Sequence, residues 1–148
     1  MKKFKFKLKP VLELRKNREE QVQMELALVS RRLDSALQDY NNNLEHRDKT
    51  SIKLENLKVC PGGIEDLILY QNYIEGVDHR LSMELGSIQE IRGEVDEVKR
   101  RLFNAARDRK AIEKLEEKQK NIYANMVRRL EDKFLDDMGT VRSARKGI

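Results

Sequence analysis

The sequence predicts an all-α protein in which two long helices fold back on each other as an antiparallel coiled-coil hairpin. Apolar residues recur every three or four positions along two long arms, which is the spacing of a seam on one side of a helix. Charged residues make up 39% of the 148 residues and aromatic residues 5%, with no Trp, which is too little bulky apolar material for a thick core. Pro61, Gly62 and Gly63 form a single Pro-Gly cluster between the arms. Disorder is the alternative for so polar a chain, and the periodicity decides against it.

The first helix is predicted over residues 10–58. Pro10 suits the first helical turn, where its missing N–H costs nothing. Along this arm Asn43, Arg47 and Thr50 stand where apolar residues are expected, and polar seam residues of this kind fix the register of a coiled coil at a cost in stability. The apolar positions of the first arm are Leu8, Leu12, Val22, Leu26, Val29, Leu33, Leu37, Tyr40, Leu44, Leu54 and Leu57.

A turn over residues 59–63 is predicted to end the first helix, because proline lacks a backbone donor and glycine is flexible. The second helix is predicted over residues 64–138. Gly139 is expected to end it, leaving a basic tail over residues 139–148. So short a connection between two apolar-striped helices favours antiparallel packing, and the whole chain is expected to form one extended rod.

The seam of the second arm is the more regular of the two. Both seam positions of its heptads are apolar except at Glu84, beside which Leu85 offers a substitute. The seam residues of this arm are Ile74, Val77, Leu81, Ile88, Ile91, Val95, Val98, Leu102, Ala105 and Ile112.

The arms are unequal in length. Folding about residue 61 places position i opposite position 122 − i, so the first arm reaches only to about residue 112 of the second. Beyond that point the second helix continues alone for about 25 residues, or roughly 40 Å. An apolar stripe without a partner is a liability unless another molecule covers it. The overhanging helix is therefore predicted to bind another protein, with a second copy of the chain as the alternative. Its large apolar residues are Ile122, Met126, Leu130, Phe134 and Met138.

The motifs of enzymes are absent from the sequence. There is no phosphate-binding glycine loop, no dinucleotide-binding fingerprint and no nucleophile elbow. His46 and His79 are the two histidines, whereas a zinc site needs three or four ligands. No catalytic residue, cofactor or metal ion is expected. Cys60 is read as an incidental thiol at the tip of the turn.

Charge and hydropathy point to a cytoplasmic protein. The formal net charge is +5, and the basic residues are interleaved with acids except at the two ends of the chain. Basic ends are compatible with nucleic acid, but the interleaved aromatic and basic pattern of such binders is missing. No apolar run reaches the ~20 residues of a membrane span, the basic start lacks the apolar core of a signal peptide, and a single cysteine suits a reducing compartment.

Three segments resemble the family of the flagellar export protein FliJ. The opening "FKFKLKPVLELRKNREEQ" is similar to the start of family members, with its spaced Phe residues, Leu-rich turn and "LR". "LILYQNYIEGVDHRL" resembles the segment after the family's turn, and "KLEEKQKNIYANMVRRLEDKFLDD" resembles its C-terminal helix. The three occur in the family's order, and the resemblance covers nearly the whole chain.

The resemblance implies a stalk for the flagellar type III export machinery, at the inner face of the cell membrane. In that family the end carrying both termini inserts into the ring of the export ATPase and promotes its assembly and activity. The region near the turn meets the cytoplasmic domain of the membrane export gate, and the family is linked to the escort of export chaperones. By position, contact with the ring falls to Leu12, Arg15, Leu130 and Phe134.

Contact with the gate falls, by the same resemblance, to Tyr73 and Val77. His46 and Thr50 stand where the family can carry aromatic residues on the first-arm side of that surface. A generic coiled-coil adaptor is the main alternative function, followed by a nucleic-acid binder that uses the basic ends.

Overall fold

The computed structural model describes residues 3–59 and 63–147 and contains two helices in these ranges, with no strand. Helix α1 runs over Lys9–Val59 and helix α2 over Ile64–Lys146, and the two pack against each other. The predicted all-α helical hairpin is thereby confirmed. The centre of the predicted turn, and with it the expected position of Cys60 at the tip, lies outside the described residues.

The starts of both helices follow from local chemistry. The N–H of Lys9 donates to the carbonyl of Phe6 at 3.2 Å, and the N–H of Leu12 donates to the carbonyl of Leu8 at 3.0 Å, so α1 begins one residue before Pro10. At the start of α2 the N–H of Asp66 donates to the carbonyl of Gly63 at 3.2 Å. Glu65 and Asp66 lie in the first turn of α2, where negative charge is favourable beside the unpaired N–H groups.

The prediction that α2 ends before Gly139 is wrong. The helix continues to Lys146, so most of the expected basic tail is helical. Gly139 does not adopt the positive φ of a helix-ending glycine, and the Oγ1 of Thr140 donates to the carbonyl of Asp136 at 2.9 Å across the same turn. Arg145 and Lys146 lie in the last turn, where positive charge is favourable beside the unpaired carbonyls.

The chain divides into two compact units. One contains both termini, Met1–Glu20 and Phe103–Ile148, and is called here the terminal unit. The other, Gln21–Leu102, contains the connection between the helices and is called the turn unit. Each is built from a segment of α1 packed against a segment of α2.

In the turn unit most of the predicted seam forms the core, although Leu44 of α1 is 37% exposed. The helices run antiparallel, since Arg32 is bonded to Glu94 at 2.9 Å and Arg47, farther along α1, to Asp78 at 2.9 Å. The heptad spacing of α2 is confirmed by burial, because six of its seam residues in this unit have 2–9% of their surface exposed and Ile91 is half-buried. The buried apolar residues of this unit are Val22, Leu54, Ile74, Val77, Leu81, Ile88, Val95 and Val98.

Polar residues interrupt the seam of the turn unit, as predicted. The Nδ2 of Asn43 donates to Oε1 of Glu84 at 2.6 Å, and Thr50 is buried at 7% exposure. Leu85, however, does not replace Glu84 in the seam, since 43% of Leu85 is exposed. Glu84 keeps its seam position because Asn43 faces it with a matching donor.

The terminal unit has a longer paired part than the predicted register allows. Lys9 meets Glu116 at 3.7 Å, a pair whose numbers sum to 125 rather than 122. Residues 3–8 then run on along α2: Phe6 is 9% exposed, and the rings of Phe4 and Tyr123 lie 5.7 Å apart. The first arm therefore covers α2 as far as Tyr123, not only to residue 112. The predicted pairing ended too early because Phe4 and Phe6 were not expected to belong to the core.

Candidate partner-binding surfaces

Among the described residues of the terminal unit, no helix packs against the part of α2 that follows Tyr123. We call residues 124–146 the overhang; at about 1.5 Å per residue it is about 35 Å long. Beyond Val127 every residue described in it is exposed. Its large apolar side chains recur in steps of four and are each about half exposed: Met126 53%, Leu130 51%, Phe134 63% and Met138 43%.

Leu130, Phe134 and Leu135 line a shallow groove on the overhang together with Glu131. Full burial of a Leu or Phe side chain stabilises a complex by about 1.5–3 kcal/mol, so a partner that covers the half-exposed groups gains about half of that for each. The chemistry available here is apolar burial, with polar residues at the edges.

Two of the four residues expected to contact a ring lie inside the helix pair. Leu12 is 1% exposed, and the Nη1 of the half-buried Arg15 donates to the carbonyl of Asp108 at 2.8 Å. Both hold α1 against α2. Leu130 and Phe134 are the members of the set that present an open surface. Leu14, 69% exposed, was not singled out from the sequence; its position two residues from a seam residue is the signal that it faces outward.

A charged cluster fastens the paired part of the terminal unit. Arg109 donates through Nε to a carboxylate oxygen of Glu19, and through Nη1 to Glu113 at 2.8 Å. The hydrogen bond that Arg109 donates to Glu19, followed by the one that it donates to Glu113, raises the pKa of Arg109 above its usual value. Glu116 joins Lys9 of α1 to Lys120 one turn farther along α2, at 3.7 and 3.3 Å.

In the turn unit, Tyr73 and Val77 occupy different environments. Tyr73 is 47% exposed, and its hydroxyl lies 2.8 Å from the Nε2 of His46, whose ring meets it edge-on at 6.0 Å between centroids. Val77 is buried at 9% exposure in the seam. Of the two residues expected to contact a gate, Tyr73 presents a surface and Val77 supports the packing beneath it.

Tyr73 belongs to a groove between α1 and α2 of the turn unit. Leu69 is 67% exposed there and was missed in the sequence analysis, although it lies one helical turn from Tyr73. The Oγ1 of buried Thr50 donates to the carbonyl of His46 at 2.9 Å and so holds the first-arm side of the groove in place. The groove is lined by His46, Thr50, Lys53, Asp66, Leu69, Tyr70 and Tyr73.

Next to this groove, Arg47 bonds both carboxylate oxygens of Asp78, at 2.9 and 3.4 Å. The hydrogen bond and charge of Asp78 raise the pKa of the Arg47 guanidinium above its usual value. Arg47 therefore stays charged and joins α1 to α2 beside the half-buried Asn43–Glu84 pair. Asn43, Arg47 and Glu84 were predicted as polar seam positions, but the residues that they bond to were not.

Two features are missing from the described ranges: a cluster of metal ligands and a helix able to cross a membrane. Within residues 3–59 and 63–147, no three His, Cys, Asp or Glu residues are grouped so as to hold a metal ion. Over the same part of the chain, neither helix has an apolar stretch long enough to cross a membrane.

The geometry of a helical hairpin with uncovered apolar surfaces is typical of a protein that works through partners. A sequence model described as flagellar FliJ protein matches residues 4–147. The chain belongs to the FliJ family. It is accordingly a component of the flagellar export apparatus. Comparisons with curated proteins and with solved structures gave no match.

Proposed function

We propose that this FliJ-family chain acts as a central stalk of the flagellar export ATPase: its terminal unit inserts into the ATPase ring and promotes ring assembly and turnover. The observation that carries the proposal is the overhang, whose apolar residues stay about half exposed in steps of four. A helix meant to remain in water has no need of Met126, Leu130, Phe134 and Met138 on adjoining turns. A ring with an apolar inner wall supplies the missing cover.

The paired part of the terminal unit gives the overhang a fixed base. Leu12 is buried, and Arg15, Arg109 and Glu116 join or brace the two helix segments. In this proposal Leu12 and Arg15 act by holding the base together, while Leu130 and Phe134 touch the ring.

The proposal assigns the gate contact to the turn unit. Tyr73 supplies an exposed aromatic ring, held in place by His46, and Leu69 adds exposed apolar surface to the same groove. Aromatic residues of this kind are common anchors in protein interfaces. The protein would then work in the cytoplasm at the inner face of the membrane, between ATPase ring and export gate, and take part in the escort of export chaperones.

The overhang is tested by the double substitution Leu130→Glu and Phe134→Glu, assayed by stimulation of purified export ATPase. Placing two carboxylates against an apolar wall costs several kcal/mol, so stimulation should be lost. The matched control is Arg129→Gln with Lys133→Gln, which lowers the formal charge by the same two units at the same i,i+4 spacing on another face of the overhang. The control should stimulate like wild type, and both variants should keep the wild-type helix content.

Stimulation by the Leu130/Phe134 variant at the wild-type level would contradict the proposal. If wild type is a dimer and the variant is a monomer that still stimulates the ATPase, the overhang pairs two copies of this chain instead. A generic adaptor would leave ATPase turnover unchanged even with the wild-type protein.

The gate contact is tested by Tyr73→Ala, with Ile68→Ala as the control because Ile68 is an exposed apolar residue of α2 on another face of the same unit. Tyr73→Ala should weaken binding to the gate's cytoplasmic domain by about 1–2 kcal/mol. Ile68→Ala should leave the affinity unchanged. Equal affinities for wild type and Tyr73→Ala would remove the gate assignment without affecting the ATPase assignment.

A further inference from the structure

Charge is divided unequally between the two units. The terminal unit holds 20 Lys and Arg and 11 Asp and Glu, which gives a formal charge of +9. The turn unit holds 11 Lys and Arg and 15 Asp and Glu, which gives −4. The modest net charge of the whole chain conceals this difference.

Several acids of the terminal unit are taken up by ion pairs that join or brace its helices. Glu19 and Glu113 are both bonded to Arg109. Glu116 is paired with Lys9 and with Lys120, and its side chain is only 14% exposed. These carboxylates neutralise cations next to the seam, and they do not offset the charge on the outer face of α2.

On that outer face lies a row of cations that we call the basic stripe: Arg107, Lys110, Lys114 and Lys118. Their steps of three, four and four keep them on one side of the helix, over about 16 Å. All four are exposed, and none forms an ion pair with another residue in the described part of the chain. Between Phe103 and Lys120, Glu117 is the acidic residue that shares their side of the helix.

A row of like charges at helical spacing is mildly destabilising in isolation and becomes favourable when it faces opposite charge. We propose that the basic stripe docks against a carboxylate-lined protein wall. This inference rests on the proposed function, and it assigns that wall to the part of the ATPase ring that surrounds the paired region of the terminal unit. The overhang then binds by apolar burial and the basic stripe by charge.

A protein wall fits better than a nucleic acid. Phe103, 67% exposed, lies one turn before Arg107 on the same side of α2, and an exposed aromatic beside cations is typical of protein interfaces. The overhang in the same unit also requires an apolar partner surface, which a phosphate backbone does not provide.

The test is the affinity for purified export ATPase, measured over a range of salt concentrations. The variant Lys110→Gln, Lys114→Gln and Lys118→Gln removes most of the stripe and keeps residues of high helix propensity. The control Lys49→Gln, Lys58→Gln and Lys99→Gln removes the same charge from the turn unit. At low salt the stripe variant should bind about tenfold more weakly than wild type and lose most of the salt dependence, while the control stays within about twofold of wild type.

The outcomes separate the two claims. If wild type binds and stimulates the ATPase and the stripe variant does so equally well at every salt concentration, the inference is wrong and the proposed function stands. If wild type neither binds nor stimulates the ATPase, both are wrong. If the stripe substitutions abolish salt-sensitive retention of DNA or RNA and leave ATPase affinity unchanged, the stripe is a nucleic-acid surface and the inference is overturned.

Discussion

Two stretches of α2 have similar apolar patterns, but the apolar residues of one are buried and those of the other are exposed. In the turn unit, Ile88, Val95 and Val98 recur at helical spacing and are 2–6% exposed. In the overhang, residues from Met126 to Met138 recur every four positions and are 43–63% exposed. The pattern determines that there is an apolar face, and the presence of an opposing segment of α1 determines whether that face is covered. The uncovered stripe is thus a seam without a second helix.

The largest expected effect compares a covered with an uncovered leucine. Leu12→Ala should lower the free energy of unfolding by about 2–4 kcal/mol, because it leaves a cavity in the seam. Leu14→Ala, two residues away on the same helix but exposed, should change it by less than about 0.5 kcal/mol. Urea unfolding followed by circular dichroism measures both. Equal losses would mean that Leu14 is also covered in solution.

The second comparison concerns polar and apolar layers of one seam. Asn43→Leu combined with Glu84→Leu should raise the stability by about 1–2 kcal/mol, since a half-buried polar pair gives way to apolar packing. One oxygen of Glu84 is buried without a hydrogen-bond partner, which adds to the cost of the native pair. Glu84→Leu alone should gain less, because Asn43 then loses its partner. A double variant less stable than wild type would show that the pair contributes net stability.

Substituting one glycine in the turn unit and one in the overhang tests whether the overhang unfolds separately from the paired helices. A methyl group added at Gly139 or at Gly86 meets nothing within 4 Å, so alanine should improve helix stability by up to about 1 kcal/mol at either site. Gly86→Ala should raise the global stability, whereas Gly139→Ala should slow amide exchange near its own position and leave global unfolding unchanged. A global gain from Gly139→Ala would indicate that the overhang unfolds together with the paired helices.

The smallest effect is expected from an exposed ion pair beside the seam. Arg32 and Glu94 lie 2.9 Å apart with 59% and 50% of their side chains exposed. A double-mutant cycle with Arg32→Gln and Glu94→Gln should give a coupling energy below about 1 kcal/mol, which disappears at about 1 M salt. A larger, salt-resistant coupling would mean that this pair, and not the apolar seam, determines the pairing of the helices.

The sequence predicted the helices well because their signal is long and repeated. The heptads from Ile74 to Ala105 and the Pro-Gly cluster each indicated the same hairpin. The predicted end of α2 was wrong because Gly139 permits a helix to end without requiring it, and no proline follows Gly139 in the sequence. The predicted length of the paired part was too short because Phe4 and Phe6 lie in a non-helical segment that packs on α2. Such a segment has no helical period to detect.

Surface residues were harder to predict than seam residues. Leu130 and Phe134 could be recognised as uncovered because the arms differ in length, and arm length is visible in the sequence. The burial of Val77 agrees with its predicted seam position, whereas the bond between Tyr73 and His46 depends on how the two helices are rotated against each other. A seam pattern with polar interruptions fixes that rotation only to within a neighbouring position.

The central claim is that the export ATPase covers the exposed apolar stripe of the overhang. Amide hydrogen exchange with and without purified export ATPase tests it most directly. In the free protein, residues 124–146 should exchange faster than the buried seam around Ile88, because a single solvated helix opens more easily. On addition of the ATPase, exchange in residues 124–146 should slow strongly, with the greatest change around Leu130 and Phe134. Binding of the ATPase with unchanged exchange over residues 124–146 would contradict the account.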